Sequence, residues 1–421
     1  MRRSEPARLA LALFVLATPS AAEAGGVLPP WRGTRDVPLP SGARSVHIAR
    51  ADEPLFVEPA AGSARRGTAA LGALLPIYAS SRGSGCASRW LMVGALAWVC
   101  EAVVQLSALP PLAVERGSAL PDGLPYRYYF VGPEGSLGYR SLPLAEEGVP
   151  DAEFEPGFAL AVTTIADKAR GDPFGLTTRG FWVPLRDLSL AHVSSFRGVA
   201  VGAEQQFGFV HARRAPVYRA PGGPIRPGEG RTRHATLPVL ETRKHLGKAW
   251  YRVGDEAWMA GRDLRVAQPA ALPAGVHEHE RWLDIDIQRQ VLTAFVGAKP
   301  VFSTLISSGK GRGKSEQATP LGEHRIWVKL QSTDMDNLED EDAGRYYAMQ
   351  AVPWVMFFKK GYGLHGTYWH DSFGTVRSHG CVNLSTHDAQ RLFEWTSPRL
   401  PAGWTAVFPT PYEAGTLVRV R

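Results

Sequence analysis

Ser378-His379-Gly380-Cys381-Val382-Asn383 places a cysteine directly after a His-Gly pair, with Ser385 close behind. A second such pair, His365-Gly366 followed by Thr367, ends twelve residues before Ser378. A thiol becomes a useful nucleophile when an imidazole takes its proton or backbone N–H groups favour its thiolate. Both are available here within one short segment. The chemistry this suits is acyl transfer through a cysteine thioester. Cys381 is then the nucleophile, and His365 takes the thiol proton and returns it to a leaving amine. The backbone N–H groups of His379, Gly380 and Cys381 are the expected oxyanion donors, each worth ~3 kcal/mol in the transition state. Gly380 lets a substrate backbone approach without a Cβ clash.

Two other chemistries compete for the same residues. His365, His370, Asp371, His379 and Cys381 include zinc-type ligands. The His-Gly-Cys spacing is too tight for an ordinary zinc pair, so neither metal nor cofactor is expected. His370 and Asp371 read as polar loop residues. Gly309-Lys310-Gly311-Arg312-Gly313-Lys314-Ser315 imitates a phosphate loop, but Ser308 stands where a glycine is needed and Pro320 comes too soon for a helix. It reads as a basic loop near the cleft. The acidic run Asp334, Asp336, Glu339, Asp340, Glu341 and Asp342 lacks calcium-loop spacing and reads as a solvated loop or lid.

The elements that must carry these residues are mainly strands. Trp282 to Ile287 alternates apolar and polar, Gln288-Arg289-Gln290 turns, and Val291 to Val296 is the partner strand. Val301 to Ser307, His324 to Leu330 and Trp354 to Phe358 read as further strands. Thr386 to Thr396 is the helix after the cysteine loop, and Thr405 to Phe408 a closing strand.

The 421 residues imply two to four domains. Forty-four glycines and 33 prolines favour turns and short strands over long helices. Arg2, Arg3 and Arg8, the apolar run Leu9 to Leu16 and small residues near Ala22-Glu23-Ala24 read as an export signal over residues 1–24. No other stretch is apolar enough for a membrane helix, so no integral membrane segment is expected in the mature chain. An exported chain meets oxidising conditions. Of three cysteines, Cys86 and Cys100 are expected to pair, leaving Cys381 free. The net charge is +7, or +6 without residues 1–24, which suits a polyanionic wall or membrane surface. No dense basic stripe with interleaved aromatics appears, so nucleic acid is not an expected partner.

Upstream, a pattern of short β runs, turns and a Trp-bearing hairpin recurs. One copy runs from Gly67 to Trp90 and Trp98, another from Val210 to Trp250 and Trp258, with a divergent copy around Gly157 to Leu188. The set resembles bacterial SH3-like domains, and the tryptophans read chiefly as barrel core. The resulting division is a signal at 1–24, a linker at 25–50, one or two SH3-like modules at 51–200 and another at 201–266. A catalytic domain at 280–410 and a C-terminal tail at 411–421 follow. Residues 267–280 form a proline-bearing linker in which His277 and His279 read as solvated.

His365-Gly366-Thr367 followed by Ser378 to Asn383 resembles the signature of the YkuD-type L,D-transpeptidases. Thr319-Pro320-Leu321-Gly322 is similar to that family's Thr-Pro-x-Gly element, and the strands from Ile285 to Phe295 fit its start. The resemblance covers about residues 280–410. It implies a β-sandwich catalytic domain with a short helix after the cysteine loop; with the SH3-like segments, the chain reads as mainly β, two or three small barrels preceding that domain. It implies an exported enzyme of the periplasm or cell wall whose partner is the peptidoglycan stem peptide. Cys381 would attack the L,D bond at the third residue of a tetrapeptide stem, release the terminal D-residue and pass the acyl group to an amine. His379 and Gly380 would shape the oxyanion hole, Ser378, Asn383 and Gly366 would support it, and Thr367 and Tyr368 would touch substrate. Carbapenems would acylate the same cysteine. The gap from His365 to Ser378 is shorter than in many members. An L,D-carboxypeptidase on the same site differs only in giving the acyl group to water. A wall-binding protein without catalysis is the remaining alternative, opposed by the intact cysteine and histidine.

Overall fold

The computed structural model describes residues 37–112, 120, 122–166, 171–202, 205–311, 313, 315–339 and 346–421. The expected export signal, Arg312, Lys314, and Asp340 to Asp342 of the acidic run lie outside these residues.

Two β layers enclose the main core. The first has the strand order Val199–Ala200, Lys299–Leu305, Val291–Val296, Arg281–Asp286, Leu417–Val420, Gly322–Arg325. Arg281–Asp286 alternates as expected: Leu283 and Ile285 join the core, while Trp282 stacks on Phe295 at 4.4 Å on the other face. Its neighbour Leu417–Val420 runs parallel to it. The expected C-terminal tail is therefore an internal strand of the first sheet. Asp284, 2% exposed, fixes that strand by holding Arg419 at 2.7 Å and Arg421 at 2.8 Å. A buried carboxylate persists only with such partners.

The expected strand His324 to Leu330 is two strands. Gly322–Arg325 pairs with Leu417–Val420 in the first sheet, and Val328–Asp336 pairs with Ala348–Lys359 in the second. Ile326 and Trp327 carry the chain between layers.

The second sheet changes the upstream reading. Its path runs from Trp182–Pro184 through Phe174–Thr177, Ala159–Ala166, Ala348–Lys359, Val328–Asp336 and Trp404–Val407 to Arg65–Ala69, Glu53–Phe56, Ala97–Cys100, Trp90–Gly94 and Ala79–Ser81. Upstream strands thus extend the catalytic sheet at both sides. Gly67 permits one of these junctions, because a Cβ there would lie 2.5 Å from the Trp404 ring and 2.6 Å from Ala406 O. One buried cluster unites Val46, Leu55, Leu91 and Val99 with Leu283, Met356, Leu364 and Leu392. The first two upstream segments are accordingly not free-standing barrels. Part of the expected linker is also ordered: Ser45–His47 is a strand between Leu74–Pro76 and Gln105–Ser107. Residues 206–266 keep a separate core of Val210, Val217, Tyr251, Met259 and Leu264. Trp90, Trp98, Trp250 and Trp258 are all buried, as barrel-core residues would be. Cys86 and Cys100 form the disulfide, with 5.6 Å between their Cα atoms, and Cys381 is free.

The helix Thr386–Trp395 is capped at both ends. Ser385 Oγ accepts from Asp388 N at its start. At its end, fully buried Lys329 donates to Phe393 O and, at 2.8 Å, to Thr396 O. These carbonyls have no helical partner of their own. Lys329→Met leaves them unpaired in the core. We expect a loss of roughly 2 kcal/mol in folding stability, measured by urea unfolding.

Candidate active site

The site begins with a hairpin and a parallel pair. Ala348–Lys359 turns into Tyr362–Gly366, which pairs in parallel with Val382–Leu384: Leu364 with Val382, His365 with Asn383, Gly366 with Leu384. Paired residues share a face, and faces alternate along a strand. His365 and Asn383 therefore share a face, and Cys381 stands in the turn that leads into the second strand. The helix Thr386–Trp395 follows at once and packs on the hairpin.

The cysteine turn is laced from within and from below. Ser378 Oγ donates to Cys381 O and accepts from Gly380 N at 3.1 Å. Ser308 O accepts from Arg377 N at 2.9 Å and Ser378 N at 3.1 Å, while Lys310 N donates to Ser378 O at 2.9 Å. Gln290, in the turn of the opening hairpin, fixes Ser308 from both sides of its amide, at 2.6 and 2.8 Å. Thr319 Oγ1 donates to Gly380 O at 2.8 Å and accepts from Gly309 N at 2.9 Å. The basic loop read beside the cleft thus adjoins the turn through Ser308, Gly309 and Lys310.

Gly380 plays a different part from the one expected. Its N–H is already bonded to Ser378 Oγ, which leaves the His379 and Cys381 N–H groups as the oxyanion candidates. What Gly380 contributes is conformation and space. Its φ is +124°, and a Cβ would stand 2.4 Å from the Tyr362 ring. Tyr362 is held there by donating its hydroxyl to Glu316 O at 2.8 Å.

His365 is 2% exposed, and its Nδ1 lies 3.1 Å from Gly366 O. The carbonyl can only accept, so Nδ1 carries the proton and Nε2 the lone pair. Burial lowers the His365 pKa to about 4, so the ring is neutral near neutral pH. Cys381 is partly exposed as a residue, but protein atoms surrounding its sulfur push the thiol up; a hydrogen bond with the Gly363 backbone opposes this. The sulfur also lies 3.6 Å from Gly361 O, to which a thiol can donate. The resting pair is a neutral thiol and a neutral imidazole.

Asn383 Nδ2 meets His370 Nε2 at 3.0 Å, and His370 Nδ1 accepts from Ser372 N at 3.2 Å. Burial first, then Arg377, bring His370 to about 4. His370, read from sequence as a loop residue, thus belongs to the polar network behind His365. Asp371 points elsewhere and pairs with Arg233 at 3.3 Å. His379 stacks on Tyr347 at 5.7 Å; burial and then Lys310 lower its pKa.

Thr367 and Tyr368 are not at the cleft. Thr367 is fully buried, and Tyr368 is a core residue that stacks on Tyr128 at 4.0 Å and donates its hydroxyl to Gln350 O at 3.1 Å. The strand that carries His365 continues into a segment with no open face. Gln290, Thr319, Tyr347 and Tyr362 were missed as positioning residues. Only Thr319 carried a signal, through the Thr-Pro-x-Gly element.

Residues 280–420 match the family model of YkuD, the L,D-transpeptidase catalytic domain. The match takes in Leu417–Val420, in line with that strand's place in the sheet. Among solved structures, the chain is similar to the catalytic domain of an L,D-transpeptidase from E. faecium, with 23% identity over 34% of this chain and 99% of that one, at a TM-score of 0.26. It is similar to an L,D-transpeptidase from Xylanimonas cellulosilytica, with 21% identity over 36% of this chain, at a TM-score of 0.24; the chain spans 63% of that protein's length. It is also similar to L,D-transpeptidase 3 from Mycobacterium tuberculosis, solved with a faropenem-derived adduct, at 16% identity over 45% and 74% of the two chains and a TM-score of 0.26. No curated protein matches the sequence.

Two predictions follow from this geometry. Gly380→Ala forces the turn away from Tyr362, and we expect acylation of Cys381 to slow roughly a hundredfold, read by single-turnover mass spectrometry. The second concerns acid. Below pH 6.5 an unfolded chain protonates its histidines, while folded His365 stays neutral down to about 4. Stability therefore falls as pH drops through that window, by ~3 kcal/mol for His365. Urea unfolding of the wild type and His365→Gln, compared at pH 7 and pH 4, should show a shallower decline in the variant.

Proposed function

We propose that the chain is an exported cysteine L,D-transpeptidase that acts on peptidoglycan stem peptides. The observation that carries this reading is the pairing of His365 with Asn383, two residues after Cys381, within residues that match the L,D-transpeptidase catalytic-domain model. Export is proposed from the sequence of residues 1–24 alone.

The steps follow from the protonation states. As the Cys381 sulfur attacks the carbonyl carbon of the L,D amide, its proton passes to His365 Nε2. The carbonyl oxygen becomes an oxyanion facing the His379 and Cys381 N–H groups. Collapse breaks the C–N bond, His365 gives its proton to the departing D-residue's amine, and a thioester remains. An acceptor amine then attacks the thioester, gives its proton to His365, and the sulfur leaves with that proton restored. Neither resting group is charged, so attack and proton transfer are coupled. Gly366 O, by holding Nδ1–H, keeps the lone pair on the nitrogen that must receive the proton. Ser378 and Asn383 act as supports, one lacing the turn and the other linking it to His370.

Cys381→Ala should abolish the covalent adduct that a carbapenem forms, read by intact mass. A surviving adduct at another residue rejects the assignment. Product analysis with a tetrapeptide donor, with and without an acceptor amine, separates transfer from hydrolysis. The acid limb of the acylation rate should lie near pH 4, set by His365, and not near 6.5. A limb at 6.5 would mean that an exposed imidazole is the base.

A further inference from the structure

The chain's charge is concentrated. Residues 206–266 hold twelve Lys and Arg against five Asp and Glu, an excess of +7, which equals that of all 421 residues. The rest of the chain sums to zero. Several of these cations already have partners. Arg226 pairs with Glu229 at 2.9 Å, and Arg243 and Arg252 share Glu241 at 2.7 and 3.1 Å. Arg233 pairs with Asp371, and Arg265 donates to Gly374 O at 3.0 Å, both against the catalytic domain.

A different set collects where two turns meet. The hairpin of Glu241–His245 and Lys248–Gly254 closes over Leu246 and Gly247. The turn at Gly222 lies against it, since a Cβ there would be 2.6 Å from His245 Nε2. Lys244, His245 and Lys248 are exposed beside the apex, and Arg219, exposed in the neighbouring turn, pairs with Glu256 at 3.8 Å. Among the described residues, no carboxylate pairs with Lys244 or Lys248.

The apex itself is apolar. Leu246, in the apex, is 87% exposed, and Ile225, which pairs with Tyr218 at the base of the Gly222 turn, is 54% exposed. Leu246 also has φ +48°, a left-handed conformation that Asn or Gly adopts at less cost in a tight hairpin. A soluble polyanion would use the cations and ignore the leucine. An apolar apex ringed by cations matches a different partner, in which phosphates overlie an acyl layer.

We propose that this end of residues 206–266 docks on an anionic phospholipid surface. Leu246 and Ile225 enter the boundary between headgroups and acyl chains, while Lys244, Lys248 and Arg219 face the phosphates. The contact is peripheral; among the described residues no helix is long and apolar enough to cross a membrane. Phe196, Phe209 and Phe373 pack together where this module meets the catalytic domain, so docking also fixes the height of the site above the surface.

The test is sedimentation of the full chain with vesicles of phosphatidylcholine alone or with phosphatidylglycerol added. Binding to the anionic vesicles should be roughly tenfold tighter or more. Leu246→Ser together with Ile225→Ser should weaken it about tenfold, and Lys244→Glu together with Lys248→Glu should erase the anionic preference. Carbapenem acylation of Cys381 should be unchanged in both, which verifies folding and keeps this readout separate from the catalytic one. Equal binding to neutral vesicles overturns the proposal. So does wild-type affinity in the Leu246/Ile225 variant, or equal displacement of both proteins by polyphosphate, which would assign the patch to soluble polyanions.

Discussion

Three residue pairs, Leu364 with Val382, His365 with Asn383 and Gly366 with Leu384, join two short strands that run in the same direction. Parallel strands cannot be linked by a tight turn, so the chain must leave and return between them. That return is the segment 367–381. Its length is what allows a second histidine and the cysteine turn to be built between the paired strands. Register matters here, because a slip of one residue would put Asn383 on the face opposite His365. Nearly every other contact of the site defends that register: Ser307 pairs with Asn383 on the far side, Thr319 grips Gly380, and Gln290 grips Ser308.

Burial sets the electrostatics. Deep inside the domain an ion pair of thiolate and imidazolium would need stabilising groups that the site supplies sparingly. The Gly363 backbone favours the thiolate, while the removal of water opposes both charged forms. The neutral pair therefore prevails, and on the proposed reading the thiolate forms only as substrate accepts the attack. The same burial makes His365 and His370 sensors of acid for the fold as well as for the rate.

Much of this was legible in the sequence, for identifiable reasons. The opening hairpin showed because Leu283, Ile285 and Leu292 alternate with residues of the other face. The helix after the cysteine showed because Ser385 caps it and Leu392 and Phe393 return to the core. The candidate nucleophile and base stood out because histidine, glycine and cysteine in that order have few structural uses. What stayed hidden depends on pairing between distant segments. Leu417–Val420 is too short to announce itself, and its partners on both sides, Arg281–Asp286 and Gly322–Arg325, make it a strand. Tyr368 looked like a cleft residue until Tyr128, 240 positions earlier, covered it. His370 has no local signal, since its partner is the Asn383 amide.

The upstream segments look different once the second sheet is traced. The middle segment reaches the hairpin that carries His365. Tyr128 donates to Ala351 O at 2.5 Å, Ala161 N to Gln350 Oε1 at 3.2 Å, and Arg179 pairs with Asp334 at 2.6 Å. The strand it grips is irregular there, with Ala351 at φ +48° and Trp354 at φ +59°. Such conformations cost of order 1–3 kcal/mol each and persist only where surroundings over-determine them. Trp354 Nε1 is likewise anchored from the middle segment, donating to Gly123 O at 2.7 Å. A catalytic domain cut free at residue 280 would lose these contacts, the core residues Val46 to Val99 and the strand partner of Trp404–Val407 together. In this chain, the repeats that resemble accessory modules are structural walls of the catalytic domain. Residues 206–266 keep a core of their own and, among the described residues, share no strand ladder with that sheet.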